Sequence, residues 1–258
     1  MSERPQTAAI RASVDGRGVA SITFDKPDKS NAFDAGMRDE VVRLLASFAE
    51  DPTVRVVILR GRGKHFSSGS DVSAFGDQSS DQRVEIFLRL DAFPKPTIAL
   101  VQGACLGAAL ALVACCDVVI AAPDAFFSIP EVRLGIAPLG LAPIFLRALG
   151  QSAFRHYGLS GDRFDGAEAL RLGLVHRLCE PGAFDAAAAA LADSFLRGGR
   201  QAVAAIKQTA RRLGSPADFA QSIRDLAQQE RALMQTPEAR EGIASARDKR
   251  PPVWYPKP

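Results

Sequence analysis

The stretch PKPTIALVQGACLGAALALVACCD, from Pro94 to Asp117, changes its structural pattern halfway along. Its short apolar, partly β-branched run from Thr97 to Val101 predicts a buried strand. Gly103 and Gly107 then bracket a tight connection, and the unbroken Ala- and Leu-rich run from Ala108 to Cys116 predicts a buried helix. A strand that turns through glycines into a helix leaves backbone N–H groups unpaired at the helix start. Such a place suits a phosphate or the oxygen of a polarised carbonyl, although a packed strand–turn–helix without chemistry is the plain alternative.

The sequence around this stretch predicts an α/β fold. Strands and helices alternate up to Leu141, which favours a largely parallel sheet covered by helices. We expect strands at Ile10–Asp15, Val19–Asp25, Val54–Leu59, Val118–Ala121 and Phe126–Ile129, and helices at Asp34–Glu50, with Asp34 as the N-cap, and at Asp81–Ala92. Past Leu141 we expect one short strand at Leu174–Leu178 among helices at Ala142–Leu149, Ser152–Leu159, Ala167–Leu172, Phe184–Phe195, Arg200–Leu213, Ala217–Met234 and Pro237–Asp248.

Composition narrows the class of protein. The chain has 258 residues, which is enough for one large α/β core, and its formal net charge of +3 is too small to indicate nucleic-acid binding. The N-terminus MSERPQTAAI has no signal-peptide core and no stretch is long enough to span a bilayer, so we expect no membrane association and a cytoplasmic location. The four cysteines show no zinc spacing, which favours buried free thiols.

Glu131 is the best candidate for proton chemistry. It lies between Pro130 and the apolar run VRLGIAP, where a dry environment would raise its pKa and suit it to proton transfer. The alternative is a salt-bridged or helix-starting glutamate. The loop GRGKHFSSGSDVSAF, at Gly61–Phe75, has neither phosphate-loop nor nucleophile-elbow spacing, and the three histidines show no metal spacing. We therefore predict no metal site.

Several motifs in order resemble the enoyl-CoA hydratase/isomerase (crotonase) superfamily across nearly the whole chain. They are FDKPDKSNAF near the N-terminus, HFSSGSDV at 65–72, the long stretch at 95–138, LSGDRFDGAEALRLGLVHRL at 159–178 and EGIASARDKRPP near the C-terminus. The resemblance implies a crotonase-like spiral of stacked ββα units, with a core over residues 1–195 and a C-terminal helical trimerisation region over 196–258, forming one continuous unit. It also implies a homotrimer or a dimer of trimers.

The resemblance implies acyl-CoA chemistry through a thioester enolate, with no cofactor besides the coenzyme A of the substrate. The N–H groups of Ser70 and Ala108 would hold the thioester oxygen, and Glu131 would transfer the proton. The family's other carboxylate falls on Ala111, which carries only a methyl group. With one glutamate, we expect slow hydration of a simple 2-enoyl-CoA and easier double-bond isomerisation. The run LGIAP after Glu131 resembles both the isomerases and a methylglutaconyl-CoA type of hydratase that also lacks the first glutamate, so the choice between the two reactions stays open.

Coenzyme A contacts are also implied by the resemblance. The positions that match are Lys26, Pro27, Ala32, Ser68, Gly69, Asp71, Val72 and Lys249. The chain departs from the family at Ser73, where a lysine is common, and at Ala246, where an aromatic residue is common. The alternatives are another reaction of the superfamily, such as hydrolysis, decarboxylation or C–C cleavage, and a non-catalytic acyl-CoA-binding subunit.

Overall fold

The computed structural model describes residues 9–71, 80–215 and 217–254, together with the backbone of a short strand near the N-terminus. Its strands are β1 Ser2–Glu3, β2 Ile10–Val14, β3 Val19–Phe24, β4 Val56–Gly61, β5 Thr97–Val101, β6 Ala104–Leu106, β7 Val118–Ala121, β8 Phe126–Ser128, β9 Arg163–Asp165 and β10 Arg177–Leu178. Its helices are α1 Ala35–Glu50, α2 Ser80–Asp91, α3 Ala108–Ala114, α4 Ala142–Ser160, α5 Gly166–Arg171, α6 Phe184–Leu196, α7 Arg200–Gly214, α8 Phe219–Met234 and α9 Pro237–Arg247.

The strands form two sheets. The larger has the order β1-β2-β3-β4-β5-β7-β10 and is parallel from β3 to β10, with antiparallel pairing between β1, β2 and β3. The smaller pairs β6 parallel to β8, and β8 antiparallel to β9. The predicted, largely parallel sheet is therefore confirmed.

The chain winds through both sheets in repeated passes. After β5 in the large sheet it adds β6 to the small one and enters α3; after β7 it adds β8 and continues to α4. This arrangement confirms the predicted spiral of stacked ββα units followed by C-terminal helices. Among the described residues, no helix is long and apolar enough to cross a membrane.

Helix α1 shows how local sequence sets an element and its packing. Asp34 is its N-cap, as predicted, and its side chain accepts a hydrogen bond from the Met37 N–H at 2.9 Å. Apolar residues spaced three or four apart, including Val41, Leu45 and Phe48, are almost fully buried against the sheet. Each such side chain contributes about 1.5–3 kcal/mol, so packing rather than propensity holds the helix in place.

The structure corrects several predicted elements. Strands β6 and β9 were not predicted, because three residues are too few to show a period. The two helices expected at Ala142–Leu149 and Ser152–Leu159 are confirmed, because the non-helical backbone of Gly150 separates them within the range Ala142–Ser160 given as α4. The strand expected at Leu174–Leu178 is reduced to Arg177–Leu178. The four cysteines are free, as predicted, but only Cys105 and Cys115 are buried, while Cys116 and Cys179 are half-buried.

Helix α8 packs closely on the body of the molecule. A Cβ added at Gly140 would lie 2.7 Å from the Ala227 Cβ, so the short turn Leu139–Leu141 approaches α8 as closely as a glycine allows. Helix α9 lies against the turn Pro130–Leu134 in the same way, because a Cβ on Gly242 would meet the Leu134 carbonyl oxygen at 2.2 Å. The C-terminal helices thus reach the segment that carries Glu131.

Candidate active site

A cleft opens where the start of α3 meets the loop before α2. It is lined by Ser68, Gly69, Ser70, Arg83, Val84, Phe87, Gly107, Ala108, Pro130, Glu131, Leu134, Ile136, Pro138, Leu141, Ala227 and Glu230. Most of these side chains are apolar, which makes each polar group among them a candidate for function.

Backbone hydrogen bonds fix the loop 66–71 beside the start of α3. Ser67 pairs with β6, where it donates to the Ala104 carbonyl at 3.1 Å and accepts from the Leu106 N–H at 3.2 Å. On the other side the Phe33 N–H donates to the Gly69 carbonyl at 2.7 Å. The loop is therefore held on both edges, like a short strand.

Gly69 brings two backbone amides close together. Its φ of +90° favours glycine, and a Cβ there would lie 2.5 Å from the Leu106 carbonyl oxygen and 3.4 Å from the Ala108 nitrogen. The next residue, Ser70, and Ala108 both line the cleft. Within the described part of the chain, neither N–H donates a hydrogen bond to another residue. The N–H groups of these two residues are therefore available as hydrogen-bond donors at the cleft.

Gly107 makes room for the carboxyl group of Glu131. Its φ is +52°, and a Cβ added to it would meet Glu131 Oε1 at 2.3 Å. Glu131 lies in the turn Pro130–Leu134, and its Oε2 is buried without a hydrogen-bond partner among the described residues. A buried carboxyl oxygen without a partner is costly to the fold, which points to a role in binding or chemistry.

Burial raises the pKa of Glu131 from its ordinary 4.5 to about 7. The residue's own backbone N–H opposes the shift, and the negative charge of Glu230 adds to it. A carboxyl group with a pKa near neutrality can both accept and donate a proton at physiological pH. This matches the dry environment that the apolar neighbours of Glu131 predict.

The raised pKa of Glu131 predicts a pH-dependent stability. A carboxyl group whose folded pKa lies above its unfolded one stabilises the protein at low pH and loses that contribution as pH rises through about 7. We expect wild type to lose roughly 2–3 kcal/mol relative to Glu131→Gln between pH 5 and pH 8. Urea unfolding of both proteins at several pH values measures this difference, and parallel curves would contradict it.

Asn31 ties the N-terminal segment to the loop that carries the site. Its side chain is fully buried, and its Nδ2 lies 2.8–3.1 Å from the carbonyl oxygens of Arg62, His65 and Phe66. Its own carbonyl accepts from the Ser67 hydroxyl at 2.8 Å. The φ of +54° at Asn31 is one that asparagine tolerates better than most residues. Asn31 is thus a positioning residue that the sequence did not single out.

We expect Asn31→Gly to lower the free energy of unfolding by about 2–3 kcal/mol, because it keeps the backbone conformation but removes the donor to three carbonyl oxygens, of which that of Phe66 is buried. Ser30→Gly is the matched control, since Ser30 has a similar φ of +50° and its contact to this loop is made by its carbonyl oxygen. Equal denaturation midpoints for the two variants would remove this role from the Asn31 amide.

The structure brings the predicted central residues together and leaves others apart. Ser68, Gly69, Ser70, Ala108 and Glu131 line one cleft. Ala111 is fully buried in the core and does not line it.

The other predicted coenzyme A contacts lie outside the cleft lining. The Lys26 Nζ pairs with Asp34 at 2.7 Å, and Pro27 begins the short turn Pro27–Lys29. The Ala32 N–H donates to the Lys29 carbonyl, and the Asp71 N–H donates to the Phe33 carbonyl. Lys249 is exposed near the C-terminus. Val72 and Ser73 lie outside the described residues.

Two charged residues of the cleft were not predicted. Arg83 comes from α2 and Glu230 from α8, and both line the cleft. On the sequence they belong to helices that carry many charges, so no pattern distinguishes them from solvent-facing side chains. Within the described ranges, no group of three or more His, Cys, Asp or Glu side chains could hold a metal ion.

Comparisons with known proteins show the family to which the chain belongs. The family model described as Enoyl-CoA hydratase/isomerase matches residues 15–257. The chain is similar to a mevalonyl-coenzyme A hydratase from Aspergillus fumigatus, with 31% identity over 92% of each chain. It is also 33% identical to a carnitinyl-CoA dehydratase from Citrobacter koseri, over 92% of this chain and 94% of the relative. A crystal structure of an enoyl-CoA hydratase from Mycobacterium avium subsp. paratuberculosis superposes with a TM-score of 0.88 at 26% identity, covering 97% of this chain and 100% of that one.

Proposed function

Because the chain belongs to the enoyl-CoA hydratase/isomerase family, we propose that its cleft activates an acyl-CoA thioester for proton transfer at the α-carbon. The N–H groups of Ser70 and Ala108 receive the thioester oxygen, and Glu131 moves the proton. The reaction proceeds through an enolate held by main-chain donors, so it draws on no cofactor besides the coenzyme A of the substrate.

The observation that supports this proposal is that hydrogen-bonding groups without partners line one cleft. Two amide donors without partners and one carboxyl oxygen without a partner line the same space, within the described part of the chain. Backbone donors stabilise the negative charge of an enolate oxygen best when they are fixed before the reaction, and here the loop and the start of α3 hold them. The pKa of about 7 suits Glu131 to both directions of proton transfer.

The reaction that we favour is hydration of a 2-enoyl thioester or its reverse. The support comes from the similarity to a mevalonyl-coenzyme A hydratase and a carnitinyl-CoA dehydratase. Isomerisation of the double bond uses the same enolate, and a single glutamate is sufficient for it. Both reactions fit the apolar lining supplied by Val84, Phe87 and Leu134, which would receive the acyl chain.

Assembly and coenzyme A contacts complete the proposal. Helix α7 exposes Ile206 and Leu213 at 72% and 76% of their surface, and an exposed apolar face supports the expected homotrimer or dimer of trimers. Light scattering after size exclusion measures the assembly.

We place the adenine and phosphates of coenzyme A near Lys26–Ala32, at the loop 68–72 and, in the assembly, at Lys249. The cytoplasm is the compartment that we propose.

A panel of thioesters tests the function. Calorimetry with butyryl-CoA is expected to show binding, and the same protein is expected to turn over 2-enoyl or 3-enoyl thioesters of at least one chain length. Binding without turnover of any member of the panel would favour an acyl-CoA-binding subunit. Release of free coenzyme A would instead favour a hydrolase.

A further inference from the structure

Glu230 places a second carboxylate in the cleft that contains Glu131. It comes from the last part of α8, which packs against α2 and the turn Leu139–Leu141. Only 15% of its side chain is exposed. A carboxylate in a largely apolar cleft needs an explanation, because moving a charge away from water is costly.

One oxygen of Glu230 is held and the other is not. Oε2 accepts a hydrogen bond from the Gly140 N–H at 3.1 Å. Oε1 lies 3.6 Å from Arg83 Nη2, which is too long for a hydrogen bond although the two charges still attract. Within the described part of the chain, no residue donates a hydrogen bond to Oε1. This carboxylate is therefore oriented but keeps an acceptor for a ligand.

Glu131 and Glu230 differ in the groups that act on the ionisation of their carboxyl groups. Glu131 has a buried oxygen with no partner, which favours its neutral form. Burial raises the pKa of Glu230 as well, but Arg83 and the Gly140 N–H oppose part of that rise, and among the described residues no such charge partner acts on Glu131. The carboxyl group with a cation and a hydrogen-bond donor beside it is the better base, and the one with an unpartnered buried oxygen is the better acid.

We propose that Glu230 is the second catalytic carboxylate of this site, binding and deprotonating the water that adds to the β-carbon of a 2-enoyl thioester. This inference rests on the proposed function. It assigns to α8 the role that the family resemblance assigns to the position of Ala111 on α3. The expectation of slow hydration from the sequence considered only the position of Ala111, and it stays a prediction; with Glu230 as the base, we expect hydration to be efficient instead.

The step balances with the groups present in the cleft. The water oxygen forms a bond to the β-carbon while its proton passes to Glu230 Oε1. The electron pair of the double bond moves to the α-carbon and the thioester oxygen, where the N–H groups of Ser70 and Ala108 receive the charge. Neutral Glu131 then protonates the α-carbon, and solvent returns the proton from Glu230 to Glu131. Dehydration is the same sequence reversed.

Glu230→Gln separates this inference from the proposed function. We expect hydration of crotonyl-CoA to fall by about 10²-fold or more, because a general base is lost. Exchange of the α-proton of butyryl-CoA in deuterated water, which needs only the amide donors and Glu131, is expected to stay within a few-fold of wild type. Asp225→Asn is the matched control, because Asp225 is an exposed carboxylate on the same helix.

A second variant distinguishes loss of the general base from a folding defect in Glu230→Gln. Glu230→Ala opens space for a small acid, and added formate is expected to restore part of its hydration activity without altering Asp225→Asn. Wild-type hydration rates in Glu230→Gln, or loss of hydration in both variants without formate rescue, would overturn the inference. Wild type that exchanges the α-proton but hydrates no thioester would also overturn it, while leaving intact the proposed activation of the thioester for proton transfer at the α-carbon. Absence of exchange in wild type would contradict the proposed function itself.

Discussion

Glu131→Gln is expected to lower the turnover of enoyl thioesters by about 10²–10⁴-fold, the range that removal of a general acid–base group produces. The substitution keeps the shape of the side chain and removes its titration. Since Glu131 Oε2 lacks a partner among the described residues, the amide loses no hydrogen bond there. The defect should therefore appear in kcat, and the fold should be retained.

Thioester binding distinguishes a chemical role of Glu131 from a structural one. Calorimetry should give a dissociation constant for butyryl-CoA close to that of wild type, because the amide donors and the apolar lining are unchanged. Glu168→Gln is a suitable control, since Glu168 lies on α5, outside the cleft lining. A Glu131→Gln protein with wild-type kcat would remove Glu131 from the mechanism.

Ala108→Pro is expected to reduce kcat by about 10²–10³-fold, because it deletes one of the two proposed donors to the enolate oxygen. Ala108 is the first residue of α3, directly after the N-cap Gly107, and proline is tolerated at that position of a helix. The substitution therefore removes the N–H group without breaking an intrahelical hydrogen bond. The proline ring also occupies the space in front of the nitrogen.

Ala108→Gly is the matched control for this prediction. It keeps the N–H group and removes only the methyl group, so its kcat should stay within a few-fold of wild type. Far-UV circular dichroism and thermal unfolding check that both variants are folded. If Ala108→Pro is folded and as active as wild type, the Ala108 N–H is not a donor to the transition state.

Much of the fold could be predicted from the sequence because its elements have strong local patterns. The run from Thr97 to Val101 is a strand in the structure, and Ala108 begins a helix, as the change of pattern at the glycines predicts. The polar N-cap at Asp34 has the same local origin. Strands β6 and β9 could not be predicted, since their pairing depends on β8 rather than on their own three residues.

In the candidate site too, residues with a local sequence signal could be predicted, and residues placed by distant elements could not. Glu131 could be selected because its neighbours in sequence are apolar, and the structure buries one of its carboxyl oxygens at the cleft. The roles of Ser70 and Ala108 came from the family resemblance, and their facing amides depend on the close approach at Gly69. Glu230 could not be selected, because sequence spacing does not show which turn of a charged helix meets a cleft formed by other elements.

The most direct test of the central claim is exchange of the α-proton of butyryl-CoA in deuterated water, followed by mass spectrometry and NMR. This saturated thioester has no double bond to hydrate or move, so exchange reports only enolate formation. We expect wild type to introduce deuterium at the α-carbon, and Glu131→Gln and Ala108→Pro to lose that exchange. A wild-type protein that binds butyryl-CoA without exchange, or equal exchange in Glu131→Gln, would contradict the account.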